Sequence, residues 1–274
     1  MKFQHSGKVP KSVILLVCML VLPIQLQAWI LSLDHWDNQL LNASPGEILV
    51  LDPDVVTPSQ LAMAKAKGLI PLAWLNIGAF EPGRTFSDHL DPKVLFLPGK
   101  APKEGTQWVR FYTSSWRKVL RERVREIAHA GFRGVFVTGL EAPMQITDEP
   151  LPIADMIALV ARLRTWVNAQ IPGGMLLGFG PLPALKALGP DLPIHGLVFS
   201  GIWSGPMGKT LRPWDRDALL KVINAAFPSH IKRFSLDDPG GRIPPATISQ
   251  SARRLGFDPA FIPLPIRIIR RPLP

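Results

Sequence analysis

Short β-rich runs alternate with helical patterns along most of this chain, and that alternation restricts the fold to a largely parallel sheet covered by helices. EILVLD (47–52) reads as a strand and SQLAMAKAKG (59–68) as a helix closed by Gly68. Further strands are expected at 69–78, 107–112, 133–139, 175–180, 196–201 and 230–237, and helices at 183–188, 215–227 and 245–256. Between Ser115 and His129 the residues Trp116, Leu120, Val124 and Ile127 fall on one helical face, while Arg117, Arg121 and Arg125 point elsewhere. IADMIALVARLRTWVNAQ (153–170) is a helix stopped by Pro172-Gly173. With a first strand near His35 to Leu41 the strands number eight, which predicts a (β/α)8 (TIM) barrel, the main alternative being a doubly wound open sheet.

The N-terminus has a different character. Lys2, Lys8 and Lys11 precede an apolar run from Ser12 to Ile24, and the small residue Ala28 follows. A spanning helix needs about 20 residues, so this run predicts a cleavable signal peptide over 1–28, with an uncleaved anchor as the alternative. Cleavage leaves a barrel over 29–265 and a basic, proline-rich tail over 266–274, with no transmembrane segment and the protein exported, to the periplasm or beyond. The single cysteine, Cys18, lies inside the signal, so neither disulfides nor thiolate chemistry is expected of the mature chain. The whole sequence carries +10, and loss of the three lysines leaves +7. Such a charge favours anionic partners, or serves as solubility charge on outer helices.

Several chemistries are set aside on motif grounds. WSGPMGKT (203–210) ends like a phosphate-binding loop, but Trp203 stands where a glycine must turn and Pro213 interrupts the helix that should follow. No nucleotide is therefore expected, nor nucleic acid, for which no recognition motif is present. Serine-hydrolase elbows and histidine pairs at metal-ligand spacing are absent, so neither a metal nor another cofactor is expected. What remains is acid chemistry at the ends of strands, where barrel active sites lie. Glu81, Glu141 and Asp237 are the candidate catalytic carboxylates, since glycoside hydrolysis needs one acid to protonate the leaving oxygen and another as base or nucleophile. Asp52, Arg84 and the aromatic residues Trp36, Tyr112 and Trp203 are candidate contacts to a polysaccharide or oligosaccharide, and Trp74 is a further aromatic near a strand end.

At these positions the sequence resembles glycoside hydrolase family 114, the endo-α-1,4-polygalactosaminidase-like barrels. The resemblance runs from about Trp36 to Pro263, through WDNQLLNASPGEILVLD, LAWLNIGAFEPGR, WVRFYTSSWRKVL, GFRGVFVTGLEAP, HGLVFSGIWS and FSLDDPG. It implies a barrel acting on a galactosamine polymer, with Glu81, Arg84, Glu141 and Asp237 matching the family pattern. It also exposes departures. A glutamate of the family falls on Ala79, the strand-end aspartate of GVFVT on Thr138, and a later strand-end glutamate on Ser200. Other aspartates fall on Arg110, Thr113 and Arg133. One positioned acid or base is worth roughly 10²–10⁴-fold in rate, so these losses predict hydrolysis lost or impaired. Three readings follow: an exported barrel that binds a polysaccharide without efficient turnover, an active glycosidase using a relocated carboxylate pair, and a non-enzymatic envelope scaffold. Ala79, Thr138 and Ser200, together with Glu81, Arg84, Glu141 and Asp237, are expected to line one mouth of the barrel.

Overall fold

The computed structural model describes residues 29–33, 43–82, 84, 90, 106–145 and 152–261. In chain order its strands are β1 (Trp29–Ser32), β2 (Ile48–Leu51), β3 (Ile70–Asn76), β4 (Ala79–Phe80), β5 (Gln107–Trp108), β6 (Gly134–Thr138), β7 (Met175–Phe179), β8 (Gly196–Ser200), β9 (Lys232–Asp237) and β10 (Phe257–Phe261). The helices are α1 (Pro58–Ala66), α2 (Ser114–Ala130), α3 (Ile153–Gln170), α4 (Leu182–Leu188), α5 (Pro213–Ala226) and α6 (Pro245–Arg254). All strands except β4 and β5 join one parallel sheet in chain order. β1 lies beside β10, where Trp29 Nε1 donates to the Asp258 carbonyl (3.2 Å), so the sheet curls into a (β/α)8 barrel rather than an open sheet.

Eight strands were expected, and eight form the barrel, but the two sets differ. QWVRFY contributes only Gln107–Trp108, paired antiparallel with Ala79–Phe80 in a separate ribbon above the sheet. The eighth barrel strand is Phe257–Phe261, whose internal Pro259 disguised it. The first strand is Trp29–Ser32; the segment His35 to Leu41 lies outside the described residues, as do the signal peptide over 1–28 and the tail over 266–274. No helix among the described residues is long and apolar enough to cross a membrane.

Strand alternation divides the core into two layers. Inward-facing residues fill the barrel with aromatic rings: Trp74 stacks on Phe136 (5.3 Å between centroids), and Trp29 packs against Phe136 (6.0 Å) and edge-on to Phe234 (6.1 Å). Outward-facing residues such as Leu51, Leu75, Val137 and Phe199 pack under the helices. α2 forms where its apolar stripe predicted it, with Thr113 as N-cap and Gly131 (φ 93°) as its left-handed terminus. Its Trp116, Leu120, Val124 and Ile127 are almost fully buried, each contributing about 1.5–3 kcal/mol.

Candidate active site

The C-terminal ends of the strands form the mouth. Asn76, Thr138 and Ser200 close β3, β6 and β8, each two residues beyond an inward-facing core residue (Trp74, Phe136 and Val198), so each continues the inner face. Asn76 and Thr138 sit side by side across the β3–β6 pairing. Thr138 Oγ1 is buried and has no hydrogen-bond partner among the described residues, and the same holds for Trp74 Nε1 beneath it. Ser200, further round the barrel, is exposed.

Behind Asn76 the loop after β3 carries a buried charge network. Arg84 is 6% exposed and contacts three carboxylates. Its Nη1 bonds Asp52 (2.5 Å) and Asp54 (2.8 Å), while its Nε and Nη2 both reach Glu81 Oε2 (2.9 and 2.6 Å). Arg123, on the apolar face of α2, pairs with Asp54 from below and with Glu126 (2.7 Å). Burial opposes the charged guanidinium of Arg84, but Asp52 and Glu81 outweigh it and raise its pKa. Asn76 orders the turn: its Oδ1 accepts from the backbone N–H of Gly78 (3.1 Å) and Ala79 (3.0 Å). The space bounded by Asp54, Asn76, Ala79, Glu81, Arg84 and Arg123 is about 10 Å³, room for one water and no sugar.

Glu141 lies on the next loop. Gly78 and Gly139 hold the two loops together: a Cβ on Gly78 would sit 2.2 Å from the Gly139 carbonyl oxygen and 2.6 Å from Ala142 Cβ, so neither loop could approach the other if Gly78 carried a side chain. Gly139 also takes φ 80°, a left-handed turn that leads the chain from Thr138 into Glu141. The Glu141 carboxyl group rests against Gly180 at the end of β7. Burial pushes its pKa up, opposed only by a bond to its own backbone N–H.

The structure separates Asp237 from this group. Asp237 is fully buried and in phase with outward-facing Ser235 rather than with inward-facing Leu236. Its Oδ1 accepts from the N–H groups of Trp203 (2.9 Å) and Ser204 (3.0 Å), fastening the loop after β8. Burial raises its pKa to about 6 against those bonds. With no exposed atom it cannot meet a substrate, so the catalytic assignment of Asp237 is corrected to a loop clamp. Trp203 is corrected likewise: it is 2% exposed and packs edge-on to Phe257 (5.8 Å), with no face left for a sugar ring. Tyr112 is half-buried, edge-on to Phe111 (5.6 Å), and Trp36 lies outside the described residues. Ala79 is buried beside Glu81 rather than open to the mouth, and Arg133 sits at the start of β6, at the opposite end of the barrel. Asp54, Asn76 and Arg123 escaped the sequence reading, although a charged Arg123 in phase with Leu120 and Ile127 was a visible sign of a buried partner.

The inner strand ends at this mouth carry the amide of Asn76 and the hydroxyls of Thr138 and Ser200. Glu81 is committed to Arg84, Asp237 faces away, and Glu141 is the one of the three candidate acids with no partner side chain among the described residues. Among the described residues no cluster of three His, Cys, Asp or Glu side chains could hold a metal.

Against known proteins, the profile described as "Glycoside-hydrolase family GH114" matches residues 22–180. A protein of Deinococcus radiodurans is 28% identical over 160 residues, covering 52% of this chain and 51% of that protein. One of Thermotoga maritima is 22% identical over 133 residues, 42% of this chain and 41% of that protein. This chain thus spans about half the length of the curated relatives it matches or less. The glycoside hydrolase domain of PelA from Pseudomonas aeruginosa superposes with a TM-score of 0.67 at 19% identity, covering 85% of this chain and 92% of that domain. Aspergillus fumigatus Ega3, solved in complex with galactosamine, gives 0.64 at 13% identity, covering 87% and 91%. At these identities the likeness is one of fold.

Proposed function

Because the chain belongs to glycoside hydrolase family GH114, we propose that it is an exported barrel that binds a galactosamine-type polysaccharide at the C-terminal mouth with hydrolysis lost or severely impaired. The observation that carries this reading is the replacement of acids at the inner strand ends: Thr138 and Ser200 occupy positions where the family pattern has an aspartate and a glutamate. Neither hydroxyl titrates near neutral pH, and a paired-carboxylate mechanism needs two groups that do. The acids that remain nearby are held for other work. Glu81 and Asp52 both bond the buried Arg84, and withdrawing either one would take away charge-assisted hydrogen bonds that hold its guanidinium in the interior. The fold likeness to Ega3, solved with galactosamine, supports the class of sugar, and the N-terminal lysines and apolar run support export.

Glu141 favours a second reading. A carboxyl group whose pKa is raised by burial is suited to act as a general acid, as glycosidases require. Residual hydrolysis, if measured, is therefore assigned to Glu141. Isothermal titration of N-acetylated α-1,4-linked galactosaminan oligomers, run beside a reducing-end assay, tests the proposal. Saturable binding without new reducing ends supports it, and absence of binding rejects it in favour of a scaffold role.

A further inference from the structure

The connection from β8 to α5 leaves the barrel at Ser200, on the mouth face, and carries an unusual exposed ring. Trp214, in the first turn of α5, is 62% exposed and is the most exposed aromatic side chain among the described residues. The guanidinium of Arg212 lies 4.9 Å from its ring centroid. Asp215 grips that guanidinium through Nε (2.7 Å) and Nη2 (3.4 Å), which fixes the cation over one face of the indole. With Arg212 on that face, the residue still keeps 62% of its surface exposed. Just before it, Met207 is 90% exposed and held at φ 58°, a conformation that L residues with side chains seldom adopt.

The loop bearing these groups is clamped. Trp203 and Ser204 donate to Asp237, the Asp238 N–H donates to the Ser204 carbonyl (2.8 Å), and Gly201 donates to Leu236 (2.8 Å). Gly208 packs so closely on Gly240 that an added Cβ would lie 2.4 Å from the Gly240 carbonyl oxygen. Ser204 and Thr210 pair across the loop's neck. The ring is thus presented on a prearranged support, which lowers the ordering cost of binding.

We propose that Trp214, backed by Arg212, is an outer subsite on the rim of the mouth that stacks one pyranose ring of a bound glycan. A flat apolar face with one side open matches the C–H face of a sugar. A protein interface is a poorer match, because it needs about 800 Å² per partner, and the residues around Trp214 in sequence include the charged Lys209, Arg212 and Asp215. The proposal rests on the reading that the mouth binds glycan and extends it to longer oligomers.

The test is titration of an N-acetylated α-1,4-galactosaminan octamer and the matching disaccharide into wild type, Trp214→Ala and Trp214→Phe. Trp214→Ala should weaken octamer binding by about tenfold and leave the disaccharide unchanged, with Trp214→Phe recovering most of the loss. Circular dichroism and thermal unfolding matching wild type are expected, since the ring is on the surface. Equal octamer affinity in Trp214→Ala and wild type overturns the subsite while leaving the mouth as a glycan site. Equal losses for both oligomers overturn it as an outer subsite. Wild-type protein that binds neither oligomer overturns the glycan reading itself and the subsite with it.

Discussion

Arg84 holds Glu81 through two nitrogens, Nε at 2.9 Å and Nη2 at 2.6 Å from the same oxygen, Oε2. Glu81 is thereby a structural counter-charge before it is anything else. Three acids (Asp52, Asp54, Glu81) surround two arginines (Arg84, Arg123), and together they tie β2, the loop after β3 and α2 into one unit. Removing one member leaves its partners charged in a site that admits about one water.

Arg84→Ala is therefore expected to lower unfolding free energy by about 3–5 kcal/mol, as measured by urea denaturation at neutral pH. Arg84→Lys should recover only part of this, because one ammonium cannot reproduce contacts to three carboxylates. A loss below about 1 kcal/mol for the alanine variant would show that the network contributes little.

The acids missing from the mouth can be put back. Thr138→Asp combined with Ser200→Glu places carboxylates on two inner strand ends, and hydrolysis of galactosaminan should rise at least about a hundredfold, read as new reducing ends. Ala79→Glu is not expected to help, since Ala79 is 2% exposed in the crowded space beside Glu81. A folded double variant with no gain would reject the loss of acids as the reason for inactivity.

Asp237 makes stability depend on pH. Its pKa rises from 3.8 to about 6 on folding, so between those values the folded chain holds more protons than the unfolded one. Stability then falls as pH rises through this window, and the effect amounts to roughly 3 kcal/mol. Asp237→Asn should abolish that dependence: the difference in urea midpoint between wild type and variant should move in the variant's favour from pH 4 to pH 7. A difference that stays constant would contradict a buried, titrating Asp237.

Much of this was legible in the sequence, and the failures have physical causes. The regular apolar spacing over 153–170 and the stop at Pro172 predict α3 with the bounds the structure has. The strands were harder. QWVRFY has the composition of a strand, yet only the pairing partner decides whether a short run joins a barrel or a ribbon. FDPAF was missed because proline speaks against a strand. At Asp237 the error was one of phase. Adjacent residues on a strand face opposite layers, so a strand-end acid is catalytic or structural depending on a single step of register, which composition does not report. Arg133, where the resemblance has an aspartate, lies just before β6, at the opposite end of that strand from Thr138.

Ligand charge gives a further expectation. Arg110 follows the Gln107–Trp108 strand of the ribbon, Thr138 and Ser200 put hydroxyls rather than carboxylates at two strand ends, and the sequence carries a net charge of +10. Attraction to a polymer with free amines should be weak, so N-acetylated or acidic oligomers should bind more tightly than de-acetylated ones in titrations at low salt. Binding to an acidic oligomer should weaken as salt rises, because exposed charges are screened beyond about 8 Å at physiological ionic strength. Tighter binding of the de-acetylated oligomer at low salt would contradict this.

The central claim is that this barrel kept its glycan site and lost efficient turnover. Mass spectrometry of an N-acetylated α-1,4-linked galactosaminan heptasaccharide, incubated for a day with a stoichiometric amount of the protein, tests it most directly when paired with a binding isotherm for the same oligomer. The account predicts saturable binding and an intact heptasaccharide. Shorter oligomers that accumulate with wild type and vanish with Glu141→Gln would contradict it and identify Glu141 as a working acid.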